Sequence, residues 1–206
     1  MHDDHPDTHD HLPDHDGPLS DYQLMEIAVR ELLIEKRILT ADEVRRAVEA
    51  MDARSPALGA RVVARAWTDP AFKARLLANG TAACEELGVA MGGTKLVVVE
   101  STPDVHNLIV CTLCSCYPRM LLGLPPDWYK SRAYRARAVR EPRAVLSEFG
   151  TELPADVTVR VHDSTADMRY LVLPLRPPGT EGWNEERLAA LVTRDSMIGV
   201  AVPGLA

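Results

Sequence analysis

The feature that most restricts how this chain can fold is a change of hydrophobic period near Lys95. Upstream, apolar residues recur at helical spacing; downstream, they come in short β-branched runs. "SDYQ" at Ser20 has the form of a capping box, and Met25, Ala28, Val29, Leu32 and Leu33 follow on one helical stripe. "TADE" at Thr40 opens a second box, followed by Val44, Ala47, Val48 and Met51. Ser55-Pro56 closes that helix and starts another through Leu58, Val62, Val63 and Ala66. Asp69-Pro70 caps a further helix, and Gly80 is expected to stop it. From Lys95 the pattern predicts strands at "KLVVVE" (95–100), "HNLIV" (106–110), "VTVRV" (157–161) and "YLVLPL" (170–175), with a weaker fifth at "SMIGVAV" (196–202). "SRAYRARAVRE" and "PRAVLSEFG" read as helices divided at Pro142, and "NEERLAALV" as a helix capped by Asn184.

Helices first, then strands mixed with helices, predict an α+β protein. We expect a tail over residues 1–19, a helical arm over 20–68 and a layered domain over 69–206. The tail holds aspartate, histidine and proline with almost nothing to bury, which predicts disorder. Its five histidines offer metal ligands, but a solvated tail is the simpler reading. Apolar residues make up 46% of the chain, enough for a real core, yet none of their runs is long enough to cross a bilayer. The acidic, histidine-rich start is unlike an export signal, so a cytoplasmic address is expected. A net charge of -7 argues against nucleic acid as a partner.

Cysteine is scarce, yet three of the four lie in "CTLCSC" at 111–116. Cys84 stands alone on a helix and reads as a buried structural thiol. Zinc wants a closed set of four ligands, and no fourth cysteine or nearby histidine completes one. An iron–sulfur cluster usually needs four thiolates as well. A redox dithiol leaves the third cysteine without a role. Three thiolates on six residues suit one metal held in a tight claw, with the backbone between Cys114 and Cys116 as the nearest remaining donor.

"VCTLCSCYP", "LGLPPDWYKSRAYRARAVREPR", "RPPGTEGW" and "LVTRDSMIGVAVP" together resemble the alpha subunit of nitrile hydratase over most of residues 80–203. Thiocyanate hydrolase carries a related metal subunit and is the nearest competing family, and a three-subunit nitrile hydratase for a nucleoside nitrile such as toyocamycin is a further variant. The resemblance implies a helical arm that embraces a beta-type subunit, in one chain or split into two, and a layered α-β-β-α domain. It implies that Cys111, Cys114 and Cys116 are sulfur ligands and that the amide nitrogens of Ser115 and Cys116 complete the basal plane. It further implies sulfinate at Cys114 and sulfenate at Cys116. Such donors favour a low-spin trivalent ion acting as a Lewis acid on a small-molecule nitrile or on water. Thr112 and Tyr117 match the cobalt-type pattern, so one cobalt, supplied by a small activator protein, is expected. A non-catalytic metal carrier or redox sensor is the reading from another class.

Two positions depart from the family pattern. Arg119 and Met120 follow "CYP" where tryptophan is expected, and Gly92 stands where a glutamine aligns in iron-type members. Arg119 has two readings: it pairs with an anionic or polar part of the substrate, or with the partner subunit or an oxidised sulfur. The arginines at 132, 135, 137, 140 and 143 read as a solvated or subunit-facing surface. Trp128, Tyr129 and Tyr134 read as core or interface anchors.

Overall fold

The computed structural model describes residues 18–204. The tail expected over 1–19 lies outside them apart from Pro18 and Leu19. The chain divides into two compact units between Glu49 and Ala50.

The first unit holds helix α1 (Asp21–Glu35) and most of α2 (Ala41–Asp52). Both begin as read. The Ser20 hydroxyl accepts from the Gln23 amide at 3.3 Å, and Gln23 Oε1 accepts from the Ser20 amide at 2.8 Å. Thr40 and Glu43 form the same reciprocal pair at 3.2 and 2.8 Å. Neither helix buries a residue, and Tyr22, Met25, Val29 and Leu32 stay exposed.

The second unit begins with α3 (Ala57–Thr68), α4 (Pro70–Ala78) and α5 (Gly80–Glu86), then β1 (Lys95–Glu100) and β2 (Val105–Val110). Short helices α6 (Arg119–Leu122), α7 (Asp127–Lys130), α8 (Arg132–Arg140) and α9 (Pro142–Glu148) follow. The chain finishes with β3 (Thr158–Asp163), β4 (Met168–Leu173), α10 (Glu185–Ala189) and α11 (Arg194–Ile198). The arm expected over 20–68 differs from this division, because α3 buries Val62, Val63, Ala64 and Ala66 in the core of the second unit.

Two parallel pairs make the sheets. β1 pairs with β4 from Lys95↔Met168, and β2 with β3 from Val105↔Thr158. Parallel pairing needs long crossovers, and the helices supply them. Helices α4 and α5 cover β1, β2 meets β4 between the sheets, and α8 and α9 cover β2 and β3. The result is the expected layered α-β-β-α order. Strand β2 is buried along nearly its whole length, which explains its continuous apolar run.

Two expectations need correction. "SMIGVAV" is not a strand: Thr193 and Ser196 form a capping box that starts α11, and Gly199 stops it in the left-handed region at φ 92°. A Cβ at Gly199 would overlap the Asn107 carbonyl, so this turn packs directly on β2. Gly80 does not stop a helix but begins one. Asn79 both ends α4 and caps α5, and Gly80 lies so close to β1 that a Cβ would stand 2.8 Å from the Leu96 carbonyl oxygen.

Candidate metal centre

Strand β2 delivers Cys111 fully buried at its end. The chain there is held from β3: the Ser164 amide donates to the Val110 carbonyl at 2.7 Å, and Asp163 takes both the amide and the hydroxyl of Thr112. The loop then folds back tightly enough for the Cys114 amide to donate to Cys111 Sγ at 3.2 Å. Sγ of Cys111 and Cys114 lie 3.5 Å apart, those of Cys114 and Cys116 3.2 Å, and all three sulfurs lie within 4.8 Å of one another. Donors at about 2.3 Å from one ion stand roughly 3.3 Å apart at right angles and roughly 3.8 Å apart in a tetrahedron. The observed separations therefore suit a single ion with right-angled donors. Cys111 and Cys116 are buried while Cys114 is exposed, so the sulfur cluster opens on one side.

Two side chains fix the loop backbone from below. Buried Tyr129 donates its hydroxyl to the Cys116 carbonyl at 2.9 Å, and Arg135 Nη1 donates to the Cys114 carbonyl at 3.1 Å. Hydrogen bonds from Cys116 and Cys111 hold the Cys114 thiol below its ordinary value of 9.0. Burial pushes Cys116 up to about 12, against the opposing charge of Arg169. Cys84 is also driven to about 12 by burial, in keeping with an inert thiol.

A cavity of about 370 Å³ opens onto Cys114, Ser115 and Cys116. Arg54, Arg119 and Arg169 line it together with methionine side chains. A separate, more apolar cavity of about 300 Å³ lies between His106 and the Pro177 turn and contains no cysteine.

Cys111, Cys114, Ser115 and Cys116 are thus brought together as the sequence predicts, and Arg119 and Met120 join the same cavity wall. The two departures from the family pattern meet: a Cβ at Gly92, where φ is 58°, would lie 2.8 Å from Met120 Cε. Arg135 is corrected from a surface arginine to a clamp on the loop. Sequence reasoning missed Asp163, Arg54 and Arg169, which reach the loop only through tertiary contacts.

The family model for "Nitrile hydratase, alpha chain" matches residues 20–201. The chain belongs to the nitrile hydratase alpha-chain family. It is 58% identical over 176 residues to a nitrile hydratase subunit alpha of a Rhodococcus species, covering 84% of this chain and 88% of that one. It is 55% identical over 178 residues to the low-molecular weight cobalt-containing nitrile hydratase subunit alpha of Rhodococcus rhodochrous, covering 85% and 86%. A solved recombinant thiocyanate hydrolase with partially modified cobalt centres superposes with a TM-score of 0.85 at 44% identity, covering 91% and 92%. The lower identity places thiocyanate hydrolase behind nitrile hydratase as a reading of this chain. Among the described residues no helix is long and apolar enough to cross a membrane.

Proposed function

We propose that this chain is the metal-bearing alpha subunit of a cobalt nitrile hydratase, adding water to a nitrile to give an amide. The observation that carries this is the convergence of three sulfurs within 4.8 Å beside an open cavity. Cys111, Cys114 and Cys116 hold the metal through sulfur, with the amide nitrogens of Ser115 and Cys116 as further donors. Thr112 and Tyr117 favour cobalt as a low-spin trivalent ion. Bound there, it supplies Lewis acidity toward nitrile or water.

The chain's own residues do the rest. With dioxygen as the oxidant and oxygen source during maturation, Cys114, the exposed thiol, gains two oxygens as sulfinate and Cys116 one as sulfenate, which places anionic oxygens beside the cavity. The oxygen on Cys116 takes a proton from water or attacks the nitrile carbon. Tyr129 and Arg135 hold the carbonyls of Cys116 and Cys114, so the loop keeps its shape as charge develops.

Activity requires a beta-type subunit, in one chain or two, and a small activator that delivers cobalt in the cytoplasm. The exposed apolar side chains of α1, with Tyr22 84% and Met25 59% exposed, supply a surface for such a partner. The test is co-expression with the beta-type subunit and activator under air, then metal analysis, peptide mapping and nitrile assay. One cobalt per chain, two added oxygens on Cys114 and one on Cys116 are expected. Zinc alone, or an active preparation with three unmodified thiols, overturns the assignment. Release of carbonyl sulfide and ammonia from thiocyanate identifies the related hydrolase instead, and thiol cycling without turnover identifies a redox sensor.

A further inference from the structure

The cavity at the turn between β1 and β2 contains none of the residues used above for the metal or its loop. Its volume of about 300 Å³ is roughly twice that of a cavity that takes benzene. Leu153, Val157 and Val172 line it together with six prolines, which have no N–H to donate. Leu175 and Val202, also in the lining, are 48% and 55% exposed, so the cavity reaches the surface. Thr102 and Val105 pair across the turn through N–H···O bonds of 2.8 and 3.2 Å, which sets Ser101 and His106 on either side of it.

Two polar residues of the lining are fully engaged within the protein. All three guanidinium nitrogens of Arg176 donate to Trp67 and Thr180. The Ser196 hydroxyl donates to the Thr193 carbonyl and accepts the Thr193 amide. Ser101 and His106, 4% and 7% exposed, are not so engaged. The Ser101 hydroxyl accepts the Asn107 amide at 3.1 Å, but no described residue accepts its proton. His106 donates through Nε2 to the Gly199 carbonyl, so Nδ1 of the neutral ring is an acceptor, and no described residue donates to it. Nδ1 is not among the enclosed polar atoms that lack a partner, so it touches open space. For a side chain this buried, that space is the cavity His106 lines.

A buried donor and a buried acceptor left unpaired each cost free energy. An apolar occupant fills the volume and leaves both unpaired. A nitrile brings an acceptor and no donor. A carboxylate brings no donor either, and it loses its hydration among prolines and aliphatic side chains. A primary amide brings an N–H donor and a carbonyl acceptor on one group, with an apolar remainder for the walls.

We propose that this cavity binds small apolar primary amides, the carboxamide N–H donating to His106 Nδ1 and its carbonyl accepting the Ser101 hydroxyl. The site stands on the cavity alone. Amides are also what the hydration reading has the metal centre produce, so the site fills as product accumulates; only that consequence rests on the hydration reading.

The test is equilibrium dialysis of the assembled complex against benzamide, benzonitrile and benzoate, which needs no turnover. One benzamide site per chain is expected beyond any at the metal centre. Ala201→Phe fills the cavity from a half-buried wall position and removes no side-chain hydrogen bond. It is expected to weaken that site at least tenfold and to leave kcat within about twofold. Ser101→Ala keeps the volume and removes the donated proton, so Kd for benzamide should rise about tenfold even if Ala201→Phe does not fold. Benzonitrile and benzoate should bind there at least tenfold more weakly than benzamide. Benzamide binding that both variants leave unchanged lies wholly at the metal centre and overturns the proposal, while the hydration reading stands. A cavity that takes up water alone gives no variant-sensitive binding and has the same meaning. Benzonitrile or benzoate bound there as tightly as benzamide overturns the amide assignment. Variant-sensitive benzamide binding in a complex that hydrates no nitrile supports the proposal and sinks the hydration reading.

Discussion

Asp163 grips Thr112 with both carboxylate oxygens, Oδ1 accepting the backbone amide at 2.9 Å and Oδ2 the hydroxyl at 2.5 Å. The two residues are 51 positions apart in sequence, and Asp163 is the last residue of β3, in register with Val110. Strand pairing therefore sets how the cysteine loop leaves β2. Replacing Asp163 with alanine removes both contacts, at a cost of about 1 kcal/mol because the bridge is exposed. The expected outcome is faster loss of metal to a chelator, with Asp163→Asn in between because it keeps one acceptor. Chelator-challenge kinetics followed by metal analysis checks this order, and unchanged retention in Asp163→Ala would refute it.

Tyr129 is fully buried, and its hydroxyl satisfies the Cys116 carbonyl. Its ring lies edge-on to Tyr117 at 5.1 Å and to Trp128 at 6.0 Å. Tyr129→Phe keeps those contacts and removes only the hydroxyl, leaving a buried carbonyl unpaired at a cost of about 1–3 kcal/mol. In the metal-free chain, amides of residues 111–117 should then exchange hydrogen faster, by about tenfold for each 1.4 kcal/mol lost. Exchange at the wild-type rate would show that the loop does not depend on this bond.

His106 is buried with Nε2 donating to the Gly199 carbonyl at 2.7 Å. His162 Nε2 lies 2.8 Å from Asn107 Oδ1, whose amide nitrogen already donates to the Glu100 carbonyl. Burial holds both imidazoles below their ordinary value of 6.5, and Arg160 adds to the effect at His162. The unfolded chain thus takes up protons before the folded one does. The stability these neutral rings support is fully present above pH 6.5 and declines as pH falls below it. Denaturation midpoints between pH 7 and pH 5 should fall, and His106→Gln should flatten the slope while lowering the midpoint at pH 7. A midpoint that holds steady across this interval in the wild type would contradict the neutral pairing.

The sequence was readable wherever the signal was local. Ser20 with Gln23, Thr40 with Glu43, Asp69 and Asn184 all cap helices as their side chains require. It misled at "SMIGVAV", because a short apolar run fits strand and helix alike. The Thr193–Ser196 box and the left-handed Gly199 settle that run as a helix. It also misled at Arg135, since nothing in an arginine-rich helix marks which residue faces the Cys114 carbonyl.

By itself the sequence determined that the sulfurs of Cys111, Cys114 and Cys116 converge, because three thiols on six consecutive residues need little else to come together. It also determined the helical and strand halves, because hydrophobic period is a local property. Only the tertiary structure decided the register of β1 on β4 and β2 on β3, which no local pattern encodes. That register brings Asp163 to Thr112, and the packing of distant elements brings Arg54 and Arg169 to the cavity that Arg119 enters from the loop side. Side-chain identity marks what a residue can do, but which groups act on one ligand depends on packing between elements far apart in the chain.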